Sequence, residues 1–448
     1  MALSIHGYKL AKKDLRDVDA LKARLTVKPY IPKVFVDPRY VQKYPVYNES
    51  ADYLYVPKHF GIQEFGPYKT STRDAAKTED RYWEFKGQLR DTQLEVVKSY
   101  LNPEPRDGLI CLHTGGGKTV CGLYIAAQLK VPTLVLVHNT FLRDQWIERI
   151  KAFLPNARVG MFQGTVQQVA DKDIVVGMLQ SICLKDISAD TFKNIGFVIV
   201  DECHHIASEA FSQAVPKLTS KHMLGLSATP ERKDGLMHVI HWFLGPLLYK
   251  SDTSDKVDSD VFVEFYEFEE GNEKFNEIIY NRQGVMFTSL MINKLVDFEP
   301  RNKMILEILT DVYDDTKRQI LVLSDRVEHT KLLYDMLPEE IKANSCILSR
   351  SVDAKTRSLW CETKRILIAT YQMCKEGFDV PSLNTLVIAT PRPDVDQIVG
   401  RILRVEKAKR NVSPLIIDIV DPAFRRQFQE RLSLYKKREY RVEKMKLT

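Results

Sequence analysis

An apolar run, Leu109-Ile-Cys-Leu112, passes directly into His113-Thr-Gly-Gly-Gly-Lys-Thr119, and a helix-period stretch follows over residues 120–129. Strand, glycine turn and helix in that order make a phosphate-binding loop. The glycines let backbone N–H groups approach a phosphate, and the helix N-terminus adds its positive dipole end. Thr114, Gly115, Gly116 and Gly117 would line the cradle, Lys118 would neutralise the outer phosphates, and the Thr119 hydroxyl would ligate Mg²⁺. The full G-x-x-x-x-G-K-T pattern has glycine where Leu112 stands, so the loop is a variant. Alone, it also reads as a glycine-rich turn with no nucleotide.

Two later segments change the weight of that reading. Asp201 and Glu202 follow Phe-Val-Ile-Val200 and so emerge at the C-terminal end of a buried strand, where open α/β sheets bind their ligands. Asp201 would hold Mg²⁺ and Glu202 would orient and deprotonate an attacking water. Cys203, His204 and His205 are adjacent and cannot converge on one tetrahedral ion, so zinc is not expected. Further on, Gln397, Arg401 and Arg404 fall on one face of a helix expected to begin near Asp394. Across a cleft, such arginines stabilise charge developing on a γ-phosphate; in isolation they read as a solvated basic face. The three segments together describe an NTP-driven motor divided between two domains.

At 448 residues, 44% hydrophobic and 28% charged, the chain suits two or three domains with real cores. A net charge of +6 permits contact with a phosphate backbone without demanding it. The seven cysteines include no C-x-x-C pair, which points away from a zinc ribbon or disulfide framework and toward a reducing, intracellular compartment. The start lacks a signal-peptide core, and no apolar run approaches the ~18 residues of a membrane span.

Four regions are expected. Residues 1–80 alternate in short stretches broken by proline, a small α+β domain whose aromatics belong to a core. Residues 81–250 repeat near-continuous apolar strands between helices, as a parallel sheet buried on both faces requires. Residues 251–300 are acidic and polar, a linker or insertion, and residues 301–448 resume the strand–helix rhythm. The C-terminal stretch from Arg425 is charged and helix-compatible. The expected fold is therefore α/β, two tandem P-loop-type parallel-sheet domains behind a small N-terminal one.

From residue 83 to 420 the chain resembles a superfamily 2 helicase of the DEAH/DExH type. Leu89-Arg-Asp-Thr-Gln93 is similar to the adenine-reading motif, which implies Arg90 and Gln93 at the base. Leu134-Val-Leu-Val-His-Asn-Thr140 and Gly177-Met-Leu-Gln-Ser181 resemble motifs Ia and Ib, implying Asn139, Thr140 and Gln180 on a nucleic-acid strand. Leu226-Ser-Ala-Thr-Pro230 resembles motif III, implying coupling through Ser227 and Thr229. Arg326 and Thr370 stand in segments like motifs IV and V, and Gly377 and Asp379 in the nucleotide-facing part of motif V.

The resemblance implies two RecA-like domains closing on ATP and Mg²⁺, with 3′ to 5′ movement. Gln397 stands where DEAD-box RNA helicases carry histidine, and Asp-Glu-Cys-His replaces Asp-Glu-Ala-Asp, which favours the DNA branch of XPB, phage UvsW and poxvirus transcript-release helicases. Arg232-Lys-Asp234 resembles the Arg-Glu-Asp motif of XPB, with Lys233 in place of glutamate. Val46-Tyr-Asn-Glu-Ser50 and Phe60-Gly-Ile-Gln-Glu-Phe-Gly66 resemble the leader of helicases from large nucleocytoplasmic DNA viruses. DNA, single-stranded or branched, is the expected partner, with RNA polymerase or repair proteins as further ones. An RNA helicase and an ATP-gated clamp are the alternatives.

Overall fold

A computed structural model describes the chain except residues 31–40, 74–82, 114, 185–186, 189, 205–216, 229–233, 252–257, 270, 272, 282–283, 285, 376–379, 406 and 447–448. It divides into two units, Met1–Ser251 and Asp252–Thr448. The first unit opens with strands β1 (Ala2–Ser4), β2 (Gly7–Ala11), β3 (Thr26–Val27), β4 (Tyr44–Pro45), β5 (Asn48–Glu49), β6 (Tyr53–Val56) and β7 (Thr70–Ser71). Five of these make one sheet in the order β5-β6-β2-β1-β7. Tyr8, Leu10, Leu54 and Val56 alternate inward, as a half-buried sheet requires.

This region is not a free-standing domain. Its inward side chains join one hydrophobic cluster with Leu109, Leu134 and Val198 of the parallel sheet that follows. Buried Lys58 donates to Asp107 Oδ2 at 2.7 Å and to the Lys221 carbonyl at 2.7 Å. Buried Arg73 donates to the carbonyls of Thr219, Lys193, Phe192 and Ile195. A buried ion pair broken on one side typically costs about 3–5 kcal/mol, so these contacts weld residues 1–73 to the sheet.

That sheet is built from β8 (Gly108–Cys111), β9 (Thr133–Val137), β10 (Val159–Gln163), β11 (Val166–Gln167), β12 (Ile174–Met178), β13 (Phe197–Val200), β14 (His222–Ser227) and β15 (Leu247–Lys250). The order is β11-β10-β12-β9-β13-β14-β8-β15. All neighbours are parallel except the β10–β11 hairpin. The near-continuous apolar strands expected over residues 81–250 are the five central strands, each fully buried or nearly so. β10 and β15 were not expected: toward the sheet margins their burial is partial, so no continuous apolar run marks them. Because the strands are parallel, β12, β9, β13, β14 and β8 end in that order along one edge.

The second unit holds β16 (Phe262–Glu267), β17 (Ile320–Ser324), β18 (Ser345–Leu348), β19 (Ile366–Thr370), β20 (Thr385–Ile388), β21 (Leu415–Val420) and β22 (Arg441–Met445). All seven are parallel, ordered β18-β19-β17-β20-β21-β16-β22. Two expectations are corrected here. The stretch read as a linker, residues 251–300, supplies β16 and the helix Thr288–Val296. Its glutamates, Glu264 and Glu267, stand among Val263, Phe265 and Tyr266, and a strand beside only one buried neighbour tolerates them. The charged C-terminal stretch is a helix only over Arg425–Lys437 and then becomes β22. No described helix is long and apolar enough to cross a membrane.

Candidate functional site

β8 runs straight into the glycine loop. The Leu112 N–H donates to the Ser227 carbonyl at 3.0 Å and the Gly116 N–H to the His113 carbonyl at 3.0 Å, which fixes the turn. Gly115 and Gly117 take φ of 87° and 85°, a left-handed region that glycine occupies without penalty. A Cβ at Gly117 would stand 2.1 Å from Gln93 Nε2, so that side chain would have to shift. Lys118 and Thr119 open the helix Lys118–Leu129, so the positive helix end faces the loop.

Gln93 is buried, and its Oε1 accepts from the Arg90 N–H at 3.0 Å while its amide reaches the Gly116 carbonyl at 3.5 Å. The structure therefore places Gln93 beside the loop and ties the Arg90 backbone to its side chain. Thr114 lies outside the described residues.

Asp201 and Glu202 leave the end of β13, two strands from β8 along the edge. Asp201 is 4% exposed; its Oδ2 accepts from Trp146 Nε1 at 2.7 Å and its Oδ1 from the Glu202 N–H at 2.9 Å. Burial, and then the neighbouring Glu202 charge, pushes the Asp201 carboxyl up to about 6. Glu202 is held at φ 47°, a conformation that costs a non-glycine residue roughly 1–3 kcal/mol and persists only where surroundings enforce it.

The enforcement is visible. Glu202 Oε1 lies 3.1 Å from Lys118 Nζ, and Oε2 lies 3.4 Å from His204 Nδ1. His204 Nδ1 is also 2.7 Å from the Ser227 hydroxyl at the end of β14. A polar chain thus runs from Lys118 through Glu202 and His204 to Ser227. Two carboxylates share one nearby lysine, so the site carries negative charge and hard oxygen donors, a set that suits a divalent cation better than zinc.

Toward the other end of the edge, Asn139 caps the helix Thr140–Phe153 by accepting from the Leu142 N–H at 2.8 Å. Gln180, just past β12, donates to the His138 carbonyl at 2.7 Å. Asn139, Thr140 and Gln180 thus share one stretch of edge, with Thr140 and Gln180 exposed. Burial lowers the His138 pKa against the opposing pull of Glu202.

In the second unit, Gln397 sits in a one-turn helix, Asp396–Val399. The longer helix expected from Asp394 does not form. Past Gly400 the backbone tightens, with Arg401 N–H bonding to Ile398 and Ile402 N–H to Val399. Arg401 and Arg404 therefore leave from successive turns, both half-buried. The Thr370 hydroxyl accepts from the Met373 N–H at 3.2 Å and caps the turn after β19.

Arg326, which the resemblance assigns to nucleic acid or coupling, makes three side-chain contacts within the unit. It donates to Asn293 Oδ1 at 2.7 Å, Asp325 Oδ2 at 2.6 Å and the Ser289 hydroxyl at 2.9 Å. That makes it a clasp on the helix Thr288–Val296. Thr229, Gly377 and Asp379 lie outside the described residues.

Sequence reasoning passed over two members of the first site. Trp146 drew no role from the sequence, although its indole N–H orients Asp201. His204 was weighed only as a metal ligand, although it bridges Glu202 and Ser227. Its place two residues after a candidate base was the available signal.

With this geometry in hand, the comparisons with known proteins are decisive for the family. A protein of Acanthamoeba polyphaga mimivirus, named as an ATP-dependent RNA helicase, is 31% identical over 98% of this chain and 85% of its own length. The chain belongs to the superfamily 2 helicases. The family described as "Type III restriction enzyme, res subunit" matches residues 86–232, which hold the phosphate loop and both acids. The archaeal DNA 3′-5′ translocase XPB2 of Sulfurisphaera tokodaii is 35% identical over 38% of this chain and 37% of its own. Yeast Dbp5 bound to RNA and ADP BeF3 aligns over 80% of this helicase and 90% of its own chain, with TM-score 0.54 and 13% identity, a likeness of fold.

Proposed function

We propose that this helicase is an ATP-dependent DNA motor that moves 3′ to 5′ along one strand and remodels single-stranded or branched DNA. The observation that carries the reading is the 3.1 Å approach of Lys118 Nζ to Glu202 Oε1, beside Asp201, on the C-terminal edge of a parallel sheet. A phosphate-binding lysine and a water-activating carboxylate then serve the same atoms. Thr119 and Asp201 would hold Mg²⁺, which supplies charge neutralisation on the phosphates. Glu202 takes the proton of the attacking water, and Arg90 and Gln93 read the base.

Arg401 and Arg404, with Gln397, stabilise the charge that builds on the γ-phosphate. The hydrogen bond between His204 and Ser227 passes the state of Glu202 to motif III. Asn139, Thr140 and Gln180 hold the strand mainly by phosphate contacts, so binding is salt-sensitive and largely independent of sequence. Residues 81–250 act as the ATP-binding domain and 301–448 as the helicase C-terminal domain, with residues 1–80 contributing to DNA or partner recognition. Repair, recombination and transcript release all suit such a motor, with repair proteins or RNA polymerase as partners.

DNA is favoured by Gln397 at a position where RNA-directed relatives use histidine, and by the XPB2 match. A second reading, RNA as substrate, is supported by the mimivirus relative, which is named for RNA. Steady-state ATPase with no nucleic acid, single-stranded DNA, duplex DNA or single-stranded RNA separates them. Strong stimulation by DNA over RNA is expected. Stimulation by RNA alone moves the substrate to RNA, and absence of hydrolysis under every condition sinks the motor and leaves a clamp.

A further inference from the structure

The segment that carries Gln397, Arg401 and Arg404 has little structure of its own. Its only helix, Asp396–Val399, is a single turn, and a turn of that length does not persist unaided because nucleation costs more than its hydrogen bonds return. Burial of Val395, Ile398, Val399 and Ile402 fixes its underside. Apolar contact is non-directional and leaves the segment free to slide or rotate. Direction comes from polar ties at three points upstream of the arginines.

Tyr371 donates its hydroxyl to the Thr390 carbonyl at 2.6 Å. Arg431 Nη1 donates to the Arg392 carbonyl at 2.8 Å, and Arg438 Nη2 to Asp396 Oδ1 at 2.8 Å. Arg431 is itself locked by two parallel bonds to Asp418, at 2.8 and 2.7 Å, and Tyr435 donates to the same carboxylate at 2.9 Å. Arg431 lies on the C-terminal helix and Arg438 one residue past its end. Asp418 and Arg431 are wholly buried in the middle of a strand–helix interface where an apolar pair would be at least as stable. Their fork geometry, rather than their energy, is what an apolar pair cannot supply.

We propose that Arg431 and Arg438 are positioning residues for Arg401 and Arg404. They hold the carbonyl of Arg392 and the carboxylate of Asp396, and so set where the arginines leave the turn. They act through the segment and not on the nucleotide. The proposal rests on the reading of Arg401 and Arg404 given above.

The test uses the full chain and the Arg438–Asp396 tie, whose carboxylate is partly solvated, so that its loss is the less disruptive one. Asp396→Asn, Arg438→Gln and Arg438→Lys are compared with the unmodified chain for kcat, KM for ATP and thermal midpoint, with the stimulating nucleic acid present. Asp396→Asn and Arg438→Gln should each lower kcat about tenfold, the order expected for a misplaced catalytic group, with KM within about twofold. Arg438→Lys should recover part of that loss.

On an Arg401→Ala, Arg404→Ala background, Arg438→Gln should add nothing. A further tenfold loss there would assign Arg438 to general stability and overturn the proposal. So would unchanged kcat in Asp396→Asn, whatever the midpoint of Arg438→Gln does. If Arg401→Ala loses turnover while the Asp396 and Arg438 variants match the unmodified chain, only this proposal fails. If the unmodified chain hydrolyses none, the reading of the site fails and takes the proposal with it.

Discussion

The two sheet edges are built by different means. On the first, the backbone does the placing: Gly115, Gly117 and Glu202 all sit at positive φ, and the functional groups follow their strands closely, Asp201 and Glu202 by one and two residues and Lys118 by seven. On the second, Arg401 and Arg404 lie more than ten residues past the end of β20, on a turn tied down by guanidinium groups from the C-terminal helix. A site made by strand ends is local in sequence and rigid. A site made by long-range ion pairs can be retuned from a distance, and it fails when the distant partner is lost. The contrast predicts that turnover depends on both edges, while folding stability concentrates its sensitivity on the second.

The largest expected effect is on turnover. Glu202→Gln should bind ATP with little change and lose roughly 10²–10⁴ in kcat, the range for removing a positioned general base. Retained turnover would mean that the strained residue at φ 47° is not the base, and the first edge would lose its claim to the chemistry. Next in size is Arg431→Ala. It leaves Asp418 buried without its ion-pair partner, at a cost of about 3–5 kcal/mol of folding stability. Chemical denaturation should show that loss while ATP binding at Lys118 survives under native conditions; a shift below ~1 kcal/mol would make the second edge no more dependent on ion pairs than the first.

Smaller still is Gln93→Ala. Removing the contact between Gln93 and the loop should weaken ATP binding by the worth of about one hydrogen bond, ~1 kcal/mol, and blur the preference for ATP over GTP. Unchanged preference would remove Gln93 from base recognition. The mildest test is acid titration. Burial, and then Arg301, lowers the His329 pKa to about 3, against 6.5 when unfolded. Between those values the unfolded chain binds a proton that the native chain does not. Stability should therefore be full above pH 6.5 and decline as pH falls toward 3. His329→Gln should flatten that decline in the second unit, and an unchanged slope would show that His329 titrates freely.

What could be read from the chain follows the same division. The phosphate loop, the paired acids and five central strands of the first sheet were legible because buried parallel strands are continuous apolar runs and their ligands follow at once. β16 was not legible. Its glutamates and acidic flanks resemble a linker until β21 and β22 are seen on either side. β10 and β15 escaped for the same reason, being marginal strands with mixed burial.

The helix around Arg401 was over-read, since residue spacing matches a helical face whether or not the turns continue. Arg326 was named from its motif alone, and its contacts to Asn293 and Ser289, 33 and 37 residues earlier in the chain, were not legible there. No local pattern announces such a partner. Likewise, nothing in residues 1–80 taken alone shows that Lys58 and Arg73 bind carbonyls some 120–160 residues away.

The most direct test sets one arm of the comparison against the other: ATP affinity and kcat measured together for Lys118→Ala and Arg401→Ala, with DNA present. Lys118→Ala should lose both affinity and turnover, because it removes a phosphate contact made in every state. Arg401→Ala should keep affinity within a few-fold and lose about 10³ in kcat, because its contact belongs to the transition state. Equal losses of affinity and turnover in Arg401→Ala would make the arginine an ordinary binding residue and contradict the division of labour between the two edges.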